Sequence, residues 1–201
     1  MTWYEEDIKK LEQKFTKLNY IPEMAFYGSS TITLWDNLCR DFAKYKPVNL
    51  GFGGSTLEAC VYYFRRVMKP YNPKYLVIYA GDNDLGDGKQ PKQVVDFFET
   101  LCRLISERFG NITSFYISIK PSPARWNINR QIKDTNEMIR QLIEKKQPHM
   151  QFINMYPFML NENGKPDAAL FVEDGLHLNS RGYDLWKEKL LTHFSLNIHD
   201  A

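Results

Sequence analysis

Two rhythms of apolar residues alternate along this chain. Short apolar or β-rich runs occur at 24–28 (MAFYG), 74–81 (KYLVIYAG), 114–120 (SFYISIK) and 151–155 (QFINM), and 47–54 (PVNLGFGG) enters a glycine loop. Between them, longer stretches repeat apolar residues at helical spacing, over 34–45, 56–69, 91–109, near 127–147, and over about 180–194. In the first of these, Leu34, Leu38 and Phe42 fall on one face. Alternation of this kind predicts a parallel sheet covered by helices on both faces. The unbroken apolar run at 74–81 suits a strand covered on both sides. Residues 3–18 are amphipathic and are expected to form an extra helix outside the sheet. No repeat or linker interrupts the pattern. One domain, 1–201, is expected, with residues 1–20 packed on it as that extra helix.

Composition narrows the class further. The chain has 201 residues, 43% hydrophobic and 25% charged, with a net charge of +2. So near-neutral a balance gives no electrostatic footprint for nucleic acid, and the basic cluster at 144–146 reads as a solvated helix face. No apolar run approaches the roughly 20 residues of a membrane span, which argues against membrane insertion. The acidic, amphipathic N-terminus lacks the apolar core of a signal peptide, so a cytoplasmic location is expected. Cys39, Cys60 and Cys102 are scattered and odd in number, against a disulfide framework or a zinc site. They are expected to be buried or inert thiols.

Parallel sheets bind ligands beyond the carboxyl ends of their strands, and four segments with chemistry in them lie at or near such positions. Gly28-Ser29-Ser30 follows the first strand, and Gly51-Phe52-Gly53-Gly54-Ser55-Thr56 the second. Gly81-Asp82-Asn83-Asp84 follows the third, and a late turn carries Asp174 and His177. Singly, each has an ordinary explanation. Serines cap helices, Asp-x-Asn-Asp suits a turn, and Asn179 or Ser180 would cap the last helix. A dinucleotide fingerprint fits poorly, because its third glycine position falls on Thr56. Together they match serine hydrolysis, which needs a hydroxyl, an imidazole, a carboxylate and donors aimed at an oxyanion. The i, i+3 spacing lets one tight turn bring the Asp174 carboxylate to His177 Nδ1, leaving Nε2 facing outward. The G-x-S-x-G elbow of the α/β-hydrolases is absent.

These four blocks, in this order, resemble the SGNH hydrolases, also called GDSL esterases/lipases. The phrases GDNDLGDGK, IKPSPARW and FVEDGLHLNSRGY strengthen the likeness, and the blocks span residues 26 to 183. The resemblance implies a three-layer α/β/α sandwich around a mostly parallel, flavodoxin-like five-stranded sheet. Residue chemistry alone leaves open which serine acts; alignment of the blocks chooses Ser30, with Ser29 in the family's usual acidic position. By the same resemblance His177 is the general base and Asp174 its orienting carboxylate. The oxyanion donors are the backbone N–H groups of Ser30 and Gly54 and the side-chain amide of Asn83. The implied activity is hydrolysis of a small-molecule carboxylic ester through an acyl-enzyme, without metal or organic cofactor, and with a short acyl group, acetyl first. A lysophospholipase or thioesterase of the same family is the alternative, as are metal-dependent hydrolysis through Asp82, Asp84, Asp174 and His177, or a non-catalytic binding protein. Asp82 and Asp84 are expected to fix the loop that carries Asn83. Arg125 and Trp126 stand where they could line the pocket, although Trp126 could equally start the next helix. His149, His193 and His199 are expected at the surface.

Overall fold

The five apolar runs form one parallel sheet in a computed structural model that describes residues 1–198. In chain order the elements are α1 (Glu5–Lys14), β1 (Met24–Gly28), α2 (Ser30–Thr33), α3 (Leu38–Asp41), β2 (Pro47–Gly51), α4 (Leu57–Met68), β3 (Tyr75–Tyr79), α5 (Asp82–Gly86), α6 (Pro91–Phe109), β4 (Thr113–Ile117), α7 (Asn129–Lys146), β5 (Met150–Ile153) and α8 (Ser180–Asn197), with 3₁₀ turns between several of them. The strand order β2-β1-β3-β4-β5 is the flavodoxin-like doubly wound order. Register places Phe26 beside Asn49 on one side and Val77 on the other.

Strand residues alternate between two buried faces, which is why the runs carry so few polar side chains. Ala25, Tyr27, Val48, Leu50, Leu76, Ile78 and Tyr116 enter one core with α1, α4, α6 and α7. Met24, Phe26, Val77, Tyr79, Phe115 and Ile117 enter the other with α2, α3 and α8. The result is the expected three-layer sandwich. The N-terminal helix α1 buries Ile8 and Leu11 and is held to α4 by Arg66, which donates to both Glu5 and Glu12.

Two expectations need correction. The helix expected over 34–45 is reduced to the short α3 and a 3₁₀ turn at Ala43–Tyr45, while α2 has already ended at Thr33. Its apolar face is not the 34/38/42 stripe, because Leu34 is 47% exposed while Trp35, Leu38 and Phe42 are buried. Packing of bulky rings decides this: Phe42 lies 4.9 Å from Phe26 and 5.3 Å from Trp35, and the Trp35 indole donates to Asp41 across the break. The Asp82–Gly86 segment, read as a turn, is a single helical turn. Of the thiols, Cys60 and Cys102 are buried but Cys39 is exposed.

Candidate active site

Gly28 ends β1 with φ +145°, and a Cβ there would sit 1.8 Å from the Tyr79 carbonyl oxygen. Only glycine fits so close an approach to the neighbouring strand β3, where Gly28 pairs with Tyr79, and it turns the chain sharply into Ser29 and Ser30. The two serines then part ways. Ser29 is fully buried, its N–H donates to Tyr79 O, and its hydroxyl has no partner among the described residues. It stands at the N-cap position of α2 without making the side-chain capping bond that the ordinary reading requires. Ser30 is partly exposed, and its Oγ lies 3.1 Å from His177 Nε2.

His177 sits on a bend closed by Val172 N–H to His177 O and by the pairing of Phe171 with Leu178. Inside that bend Asp174 Oδ1 accepts from the backbone N–H groups of Leu176 and His177, at 2.8 and 2.9 Å. Asp174 Oδ2 is 2.6 Å from His177 Nδ1. Although partial burial alone would raise the Asp174 carboxyl, the hydrogen bonds from the His177 ring and the two backbone donors hold it at about 2. The charged carboxylate can only accept, so Nδ1 is the ring nitrogen that donates to it, and Nε2 is left facing the Ser30 hydroxyl. Directly after the bend, Asn179 caps α8 by accepting from Gly182 N–H.

The other flank is built from the second and third loops. Phe52 N–H donates to Gly28 O, which brings the glycine loop alongside the serine turn. Asn83 Nδ2 donates to Ser55 O at 3.0 Å, tying the third loop to the second. Gly54 O accepts from the Tyr4 hydroxyl at 2.9 Å. Asp82 and Asp84 fix this region, as expected. Asp82 accepts from Asn83 N–H, Lys120 and Tyr79, while Asp84 accepts from Leu57 N–H at 2.6 Å. These two carboxylates and the Asp174–His177 pair thus have separate partners, and no group of three or more metal-ligating side chains assembles among the described residues.

The model of the GDSL-like lipase/acylhydrolase family matches residues 25–185, about four-fifths of the chain. The chain belongs to this family. It is a GDSL-type serine hydrolase, and solved structures carry the same fold. A GDSL-like lipase from Bacteroides thetaiotaomicron superposes with a TM-score of 0.80 at 19% identity, covering 95% of this chain and 98% of that one. The psychrotrophic esterase EstA from Pseudoalteromonas sp. gives 0.67 at 18% identity, covering 87% and 97%. Among curated proteins, the N-acylneuraminate cytidylyltransferase of Escherichia coli O18:K1:H7 (strain RS218 / NMEC) is 21% identical over 191 residues. That match takes in 93% of this chain but only 44% of that relative's length.

Around this GDSL site stand residues that sequence reasoning passed over or left open. Trp3 and Tyr4, outside the family match, lie over the glycine loop: a Cβ on Gly54 would stand 3.1 Å from the Trp3 ring. Nothing in their local sequence announces this, since the contact spans fifty residues. Arg125, left open above, donates to Asn83 Oδ1 at 2.8 Å. Its backbone neighbour Ala124 donates to Gly175 O, so one loop touches both flanks. Trp126 lies in the 3₁₀ turn preceding α7, under the Lys165 ammonium. His149 is exposed, but His193 is partly buried against Gln151 and its pKa is lowered by that burial, which corrects the surface assignment. His199 lies outside the described residues. No helix among the described residues is long and apolar enough to cross a membrane.

Proposed function

We propose that the chain, 1–201 as one catalytic domain, is a serine esterase that cleaves carboxylic esters through an acyl-enzyme, with acetyl esters favoured. The observation that supports this reading is the unbroken line Ser30 Oγ, His177 Nε2, His177 Nδ1, Asp174 Oδ2, with steps of 3.1 and 2.6 Å on either side of the ring. Ser30 Oγ attacks the ester carbonyl carbon while His177 Nε2 takes its proton. The carbonyl oxygen gains the negative charge, and the Ser30 and Gly54 N–H groups with the Asn83 amide stabilise it. Collapse breaks the C–O bond, and the proton passes from Nε2 to the departing alkoxide. Water, deprotonated by the same imidazole, then attacks the acyl-serine, and the carboxylic acid leaves as the proton returns to Oγ.

The preference for a short acyl group rests on how open this flank is. The Asp174 side chain is 46% exposed and that of His177 30%. So solvated a rim gains little by receiving a long chain, since apolar burial scales with the area withdrawn from water. Purified protein treated with a fluorophosphonate probe should label on Ser30, and a p-nitrophenyl ester series should give its highest kcat/KM at acetate. A maximum at long chains removes the acyl preference; folded protein that resists the probe removes the esterase reading altogether.

A further inference from the structure

Behind Asn83 lies a charge cluster that the proposed chemistry does not use. Asp82 is almost fully buried and faces two cations, Lys120 Nζ at 3.1 Å and Arg125 Nη1 at 3.4 Å. The three side chains are 6%, 1% and 17% exposed respectively. Lys120 alone neutralises Asp82, so the guanidinium is a surplus positive charge held in a largely water-free place. Its Nη2 donates to Asn83 Oδ1 at 2.8 Å. Its flat face crosses Gly86, where a Cβ would approach within 2.8 Å of Cζ, Nε and Nη2. A side chain at that position would displace the guanidinium.

We propose that Arg125 is the positioning residue of the oxyanion amide, fixing which way Asn83 faces and strengthening it as a donor. This rests on the serine-esterase reading given above. With Arg125 present, the Asn83 oxygen receives the guanidinium and its nitrogen donates one hydrogen to Ser55 O. Reversing the amide would set NH₂ against the guanidinium and carbonyl oxygen against carbonyl oxygen. Only one orientation survives, and it leaves the second Nδ2–H for the substrate. A cation on the amide oxygen also draws electron density from the nitrogen, which makes that N–H a better donor to developing negative charge. Because the donor is oriented before substrate arrives, no reorganisation is needed as the charge forms. Lysine would not replace arginine here. One ammonium lacks the planar fork that reaches Asn83 through one nitrogen and Asp82 through the other.

The test is a double-mutant cycle on kcat and KM for p-nitrophenyl acetate, with wild type, N83A, R125A and N83A/R125A. R125A should lower kcat by roughly 10–100-fold, below the ~10²–10³ of losing an oxyanion donor outright, and leave KM within about threefold. In the N83A background the same substitution should cost less than about threefold, because the residue through which it acts is gone. R125K should recover only part of the loss. Multiplicative losses in the double variant, or a change confined to KM, overturn the proposal. Thermal melts accompany each variant; should R125A fail to fold, R125K takes its place in the cycle with the same expectations of non-additivity. Wild type that neither turns over ester nor labels with fluorophosphonate defeats the esterase reading; active wild type with additive losses defeats only the role of Arg125.

Discussion

The two flanks of Ser30 are built in opposite ways. On one side, the Asp174–His177 pair is closed within four residues by its own backbone and stands half in solvent. On the other, Asp82, Asn83 and Asp84 form one turn whose partners come from far along the chain: Ser55, Leu57, Lys120 and Arg125. Asp82 and Asp84 are buried, and each is satisfied differently. Asp82 faces two cations, and although burial alone would raise its carboxyl, Lys120 and Arg125 bring it below the usual range. Asp84 has chiefly backbone donors, and burial raises it to about 6. A local, exposed pair therefore stands beside a buried, long-range cluster; under the proposed function the first would move a proton and the second would hold an anion. The first is expected to be separable from stability, and the second is not.

Substitutions can break or sharpen that contrast. The largest effect belongs to Ser30→Ala, which should abolish acyl-enzyme formation and lower kcat by about 10⁶-fold, as expected when a member of a serine-histidine unit is lost. Ser29→Ala should leave measurable turnover; the reverse pattern in fluorophosphonate labelling would sink the choice of serine. Next, Asp174→Asn should cost on the order of 10⁴ in kcat by favouring the wrong imidazole tautomer, with a stability change below about 1 kcal/mol in urea unfolding. Because Asp174 stays ionised down to about pH 2, titration of this carboxylate should leave no limb in the kcat/KM profile above about pH 3.

On the buried flank, Asn83→Ala should lower kcat by about 10²–10³-fold with little change in KM. An effect seen only in KM would show that Asn83 merely holds substrate. Asp84→Ala should reverse the pattern seen at Asp174, destabilising the protein by about 1–3 kcal/mol by stranding the Leu57 N–H. Equal stability losses at the two aspartates would erase the contrast between flanks.

Asp84 also gives a pH signature. Its folded value of about 6 lies above the ordinary 3.8, so the stability it contributes is full below about pH 4 and lost as pH rises through 6. The whole swing is of order 3 kcal/mol, and roughly half of it falls between pH 5 and 8. Over that interval the Tm of wild type should fall relative to Asp84→Asn; parallel curves would mean that Asp84 is not desolvated. The smallest effect is expected at Tyr4→Phe, which removes the bond to Gly54 O. It should cost about 1 kcal/mol of stability and less than a threefold change in kcat.

Legibility in the sequence follows the same division. The Asp174-x-x-His177 turn could be read from spacing, because the contact it makes is three residues long. Strand β1 and helix α6 end where their patterns end, at Gly28 and at Phe109 before Gly110. The stretch 34–45 misled because its helical spacing is real, while the burial of Trp35 and Phe42 against Phe26 and α8 depends on segments far away. Arg125 was visible only as a residue in a loop after a strand. Its partner Asn83 lies 42 residues earlier, and no local pattern encodes that distance.

The order of strands and helices, the sheet rim on which chemistry would gather, and the four blocks themselves were determined by sequence, because alternating apolar periods and glycine-ended strands act over a few residues. Tertiary structure alone decided how closely the Ser30 hydroxyl approaches the imidazole, which way the Asn83 amide faces, and that Trp3 and Tyr4 cover the glycine loop. Those outcomes depend on side-chain direction and on charges meeting across tens of residues, and such geometry exists only once the two cores have closed around the sheet.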